Sequence, residues 1–96
     1  MMNTAIDADD GNPVLRSLVC AAMKEWKARL ASIVEDGIAN GEIRGEVQPR
    51  RVANMIIATL EGALMISRLE GNRTAVQDAM EGLEIVLDKI VAGPSA

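Results

Sequence analysis

The feature that most constrains this chain is residues 52–69, VANMIIATLEGALMISRL, which carry two formal charges, Glu61 and Arg68, and are otherwise almost wholly apolar. Projected at about 100° per residue, Asn54, Glu61 and Arg68 fall on one narrow polar stripe. Val52, Ala53, Ile56, Ile57, Leu60, Ala63 and Leu64 lie on one side of it, and Met55, Ala58, Gly62, Met65, Ile66 and Leu69 on the other. A surface helix needs one apolar face, and this one has two. A chain of 96 residues can hardly cover both from its own side chains, so the second flank predicts a partner, most simply a second copy.

Length and composition narrow the rest. Ninety-six residues make one domain with a limited core. Trp26 is the only aromatic residue, and six Met join Ala, Ile, Leu and Val in the packing. Few β-branched or aromatic runs of period two occur, so the chain reads as all-α. A net charge of −4 with scattered basic residues argues against gripping DNA or RNA. One cysteine excludes an internal disulfide and fits a reducing compartment, hence a cytoplasmic protein. No signal-peptide pattern opens the sequence. The Asn, Glu and Arg of residues 52–69 argue against a membrane span, because a mid-span charge costs about 2.5–3.5 kcal/mol on insertion scales.

Along the chain, residues 1–12 read as a flexible acidic leader. Asn12 and Pro13 start a helix as cap and first residue. Leu15, Val19, Ala22, Met23, Trp26, Leu30, Ile33 and Gly37 form its apolar stripe, and it ends at Asn40-Gly41. Val14 and Leu18 lie off that stripe and read as docking outside the chain. After a connection with two glycines, Pro49 opens the second helix, which stops at Gly71. Thr74 and Gln77 suggest a capping box for a third helix. Its apolar face holds Val76, Ala79, Met80, Leu83, Val86, Leu87 and Ile90, with Ile85 stranded on the polar side and Gly93-Pro94 as the stop. The domain is therefore 13–92, with residues 93–96 a frayed tail.

Catalytic provision is poor. No His, no Tyr and a single Cys remove the commonest bases, the usual zinc sets and any Cys–His pair, so neither cofactor nor metal is expected and the chain does not read as an enzyme. Cys20 reads as a packed thiol, with no basic neighbour at helical spacing. Glu61 and Arg68 are either ligand-facing, or an inter-subunit pair, or the solvated ridge of a helix buried on its flanks; Asn54, continuing the stripe, favours the ridge. Gly62 and Gly82 each cost roughly 1 kcal/mol against Ala inside a helix, which close helix crossing would offset. Met23, Trp26, Met55 and Glu61 are the candidate lining of a pocket for an apolar effector; plain core packing is the simpler reading of the Met residues and Trp26.

Trp26 with its Leu-rich following turn, then Gly41-Glu42-Ile43-Arg44, then a Pro-started helix containing Leu60-Glu61-Gly62-Ala63-Leu64 and Ser67-Arg68-Leu69, resembles the C-terminal domain of TetR-family transcriptional regulators. The resemblance spans about residues 13–92. It implies a three-helix antiparallel unit whose last two helices form a four-helix bundle with those of a second subunit. The dimer residues would then be Met55, Ala58, Gly62, Met65, Leu69, Val76, Ala79, Leu83, Val86 and Ile90. A full family member also carries an N-terminal helix-turn-helix domain, which this sequence does not show, so DNA binding is not carried over.

The function expected is thus dimerisation, with candidate effector sensing, in a TetR-like regulator. The alternative is a stand-alone helical dimer that binds another protein. A small helical enzyme of the chorismate mutase type is a third reading. It needs Arg and Lys converging on a dicarboxylate, whereas Arg29, Arg44, Arg50, Arg51 and Arg73 sit on polar faces or at helix ends.

Overall fold

The boundaries of each helix are set by local chemistry. The computed structural model describes residues 13–93, which form three α-helices and no strand. The first, α1, runs Pro13–Ala39. Proline suits its first position because that N–H would have no helical partner. The helix closes on Gly41 at φ 77°, where the Gly41 N–H donates to the Ile38 carbonyl (3.1 Å) and the Glu42 N–H to the Gly37 carbonyl (2.8 Å). This crossed pair satisfies carbonyls that a helix end otherwise leaves open.

Pro49 likewise opens α2, Pro49–Glu70, and Gly71 at φ 73° ends it with its N–H on the Ser67 carbonyl. Only residues 71–73 separate α2 from α3, Thr74–Asp88, so the two run antiparallel. The capping box expected of Thr74 and Gln77 does not form. The Asn72 Oδ1 accepts the Thr74 N–H at 3.0 Å and the Ser67 Oγ accepts the Val76 N–H at 3.2 Å. An Asn two residues ahead of the first free N–H reaches it through a short local ring, which displaces the Thr74 arrangement. The third helix also ends earlier than Gly93. After Asp88 the chain turns and Val91 pairs antiparallel with Ile43 in an isolated bridge. The acidic leader of residues 1–12 and the tail beyond Gly93 lie outside the described residues.

The helices lie side by side. α2 packs against α1 and against α3, while α1 and α3 make no helix–helix contact. The extents are 54 × 30 × 13 Å. A helix with side chains is about 10–12 Å across and neighbours sit about 8–10 Å apart, so the width holds three helices and the thickness only one. The radius of gyration, 15.9 Å, exceeds the roughly 12 Å of a compact domain this long. The protein is a single layer.

The flank of α2 that carries Val52, Ala53, Ile57 and Ala63 is covered within the chain, while the other stays open as expected, with Ala58 exposed, Ile66 at 44% and Leu69 at 79% exposure. Ala53, Ile57 and Glu61, spaced by four, form one buried row at 0%, 6% and 3% exposure, and Val52 and Ala63 belong to a second at 8% and 6%. The stripe of Asn54, Glu61 and Arg68 is not a solvated ridge throughout. Asn54 and Arg68 are exposed, but Glu61 is the one buried charged side chain among the described residues. By angle Glu61 lies nearer to Asn54 and Arg68, about 20° away, than to Ile57, about 40° away, but its burial goes with Ala53 and Ile57, the row spaced by four that can meet a neighbouring helix. On α1 the buried residue is Val34, with Ile33 65% exposed. The expected stripe advances eleven residues per three turns, and over 27 residues it drifts off a straight helix's contact line.

By length and composition α2 could cross a membrane, with a mean hydropathy of 1.4 over its best window. In this fold it is instead the middle helix of the layer, flanked on both sides.

Candidate functional site

A layer one helix thick leaves two regions that can meet something else. The first lies on α1. Ala22, Glu25, Trp26 and Arg29 line an open depression of about 280 Å³. They come together because steps of three and four residues stack on one helix face. The Arg29 guanidinium donates to the Glu25 carboxylate at 2.9 Å, both exposed, which holds the two long side chains beside the indole. Trp26 is half-buried rather than enclosed against α2. Of the four residues expected around an effector, only Trp26 lines this depression. Met23 and Met55 are half-buried and Glu61 is buried, all outside it. The Glu25–Arg29 pair was missed from sequence, although its i, i+4 spacing next to the lone aromatic was the available signal. Val14 and Leu18, at 71% and 63% exposure, continue an open apolar strip toward the start of α1.

A half-exposed indole has a direct optical consequence. Trp26 emission should lie between the buried and the water-exposed limits and be quenched by iodide. Trp26→Ala should cost only about 1–2 kcal/mol, below the roughly 3–5 of a core tryptophan. Emission at the fully buried limit with no quenching would show that something covers the depression.

The second region is the broad face of α2 and α3. Ala58, Gly62, Met65 and Leu69 follow one another at steps of four, three and four on α2. Ala58 is exposed, Gly62 and Met65 are half-buried and Leu69 is 79% exposed. Ile66 at 44%, with Met80 at 55% and Val86 at 41% on α3, extend the apolar surface. Met55, Val76, Ala79 and Ile90 are half-buried. Leu83, at 8%, belongs to the core of the single chain. A Cβ added at Gly62 or Gly82 would meet nothing within 4 Å, so close crossing inside the chain does not account for these glycines.

Charge is distributed so that no face gathers the arginines. Arg44, Arg50 and Arg51 lie at the start of α2 and Arg73 beyond its far end, about 33 Å away at 1.5 Å per residue. Cys20 is exposed rather than packed. Among the described residues no group of three or more Cys, Asp or Glu could hold a metal ion.

Among the described residues the structure is an all-α layer with two open apolar regions. The family model described as Tetracyclin repressor-like, C-terminal domain, matches residues 1–83, and the chain belongs to that family. It is similar to the TetR-family transcriptional regulator of Cytophaga hutchinsonii, with 33% identity and a TM-score of 0.90 over 97% of this chain and 46% of that one. It is also similar to a TetR transcriptional regulator from Chloroflexus aurantiacus J-10-fl, with 44% identity and a TM-score of 0.87 over 93% of this chain and 45% of that one. The chain thus spans about half the length of these solved regulators. The family match includes the first twelve residues, which the sequence reading had set apart as a leader. No curated protein matches.

Proposed function

We propose that this chain is the dimerisation module of a TetR-like cytoplasmic transcription regulator, and that two copies join through the α2–α3 face. The observation that carries the proposal is the thickness of the layer. Domains are normally built from two packed layers of secondary structure, and here a single layer, 13 Å thick, leaves Leu69, Met80, Ile66 and Val86 in solvent. A second copy laid on the same face supplies the missing layer by two-fold symmetry. Met55, Ala58, Gly62, Met65, Leu69, Val76, Ala79, Val86 and Ile90 are the interface we assign, with Leu83 supporting it from inside. The open space beside Gly62 and Gly82 is room for the partner's side chains. We assign duplex DNA binding to none of these residues, since the chain is acidic and its arginines are spread over α1, the α1–α2 connection and the two ends of α2.

Effector sensing is the second element of the proposal. A flat indole face bordered by an exposed ion pair suits one wall of a site for a small apolar effector. The depression falls just under the volume usual for a complete ligand pocket, about 300–1,000 Å³.

Sedimentation at micromolar concentration tests the first element and should give twice the chain mass of 10.2 kDa. A well-folded species at the single-chain mass would overturn it and favour a module that binds a different protein.

A further inference from the structure

Among the described residues there is one isolated strand-like pairing, between the α1–α2 connection and the segment after α3. The Arg44 N–H donates to the Ile90 carbonyl at 2.9 Å and the Ala92 N–H to the Glu42 carbonyl at 2.8 Å, on either side of the antiparallel bridge between Ile43 and Val91. Ile43 is held at the same time by α1. Its N–H donates to the Gly37 carbonyl at 3.0 Å. Its side chain occupies the space where a side chain at 37 would be, since a Cβ there would come within 2.5 Å of the Ile43 Cδ1 and 2.8 Å of its Cγ1. Gly37 is thus the seat, Ile43 the plug and residues 90–92 the strap. Residues 90–92 also lie beyond the stretch that the family model matches.

We propose that this assembly is a conformational latch coupling the end of α1 to the end of α3. The two helices make no contact of their own, so the pairing joins elements that α2 otherwise keeps apart. It is small. Two backbone hydrogen bonds across the bridge, that of Ile43 to Gly37 and one seated side chain hold it, Ile43 is half-buried, and Val91 is 50% exposed. Segments held by so few contacts open without unfolding the elements they join. Closed, the latch fixes where α3 leaves the layer; open, it frees the last turn of α3 from the α1–α2 connection. A displacement of the C-terminal turn of α1 unseats Ile43, and through the two hydrogen bonds it reaches the strap that follows α3. This inference stands whether or not α2 and α3 receive a second copy.

Backbone amide exchange on the full chain tests it, with Gly37→Val and Ala92→Pro as variants. Gly37→Val acts in α1 and Ala92→Pro removes a donor beyond α3, where the extended Val91 accepts a following proline. Gly37→Val should speed exchange of the Ala92 N–H at least tenfold, and Ala92→Pro should do the same for the Arg44 N–H. The double variant should exchange at Arg44 no faster than the more affected single variant, the non-additivity expected of one shared device. If Gly37→Val does not fold, Ile43→Ala unplugs the seat without a clash and should likewise speed Ala92. Exchange that rises only on the mutated side of the bridge, or effects that multiply in the double variant, would overturn the coupling.

Discussion

Leu83→Glu is expected to stop α3 from docking on α2, and Leu83→Ala to lower stability by about 2–3 kcal/mol. Leu83 is the one buried residue of α3, at 8% exposure within a single chain. The attachment of the helix rests on it together with the half-buried Val76, Ala79, Leu87 and Ile90. Truncation removes methylenes from a thin layer that can partly collapse onto the gap, which places the loss toward the low end of the usual range. A glutamate at that point carries a charge into the α2–α3 contact, where desolvation opposes it. With α3 undocked, one flank of α2 is bare and its 22 residues lose half their support. Thermal melts followed by circular dichroism should show loss of the cooperative transition for Leu83→Glu and a lowered midpoint for Leu83→Ala. If Leu83→Glu melts like the parent and changes only the sedimenting mass, Leu83 lies between subunits rather than inside one.

That distinction also marks where sequence reasoning reached its limit. The starts and stops of the helices were legible because they depend on residues next to one another. Pro13 and Pro49 at first positions, and Gly41 and Gly71 in the left-handed region, are local chemistry. The apolar surplus of α2 and α3 was legible too. Packing rows were not, because several rows on one apolar helix satisfy the same periodicity and only the neighbour selects among them. Glu61 belongs both to a polar row spaced by seven and to the apolar row of Ala53 and Ile57 spaced by four, and burial followed the second. Val34 in place of Ile33 on α1 is the same effect, one residue wide. The pairing of Ile43 with Val91 left no trace in either segment alone, since neither is long enough to show period two. Trp26 was read as core from its position on the stripe, yet a layer one helix thick has little depth in which to enclose an indole.

Gly62→Glu should abolish association while sparing the fold of the individual chain, which separates assembly from folding at one position. Within one chain the site is permissive. A Cβ at 62 meets nothing within 4 Å, and replacing a mid-helix glycine gains up to about 1 kcal/mol of helix propensity. In the proposed dimer the same residue stands at the centre of the α2 face, between Ala58 and Met65, and its counterpart approaches by two-fold symmetry. A carboxylate there meets an apolar surface and its own symmetry mate, so desolvation and like-charge repulsion act together. The parent protein should show a melting temperature that rises with concentration, as linkage requires of a dimer. Gly62→Glu should sediment at the single-chain mass and melt at a temperature independent of concentration. Gly62→Ala sets the sign of the close-approach question. If the helices of the two subunits cross tightly at this glycine, the added methyl weakens the dimer; if they do not, the melting temperature rises with the mass unchanged. Gly62→Glu at twice the chain mass would remove this face of α2 from the interface and leave the exposed strip of α1, around Val14 and Leu18, as the surface through which copies meet.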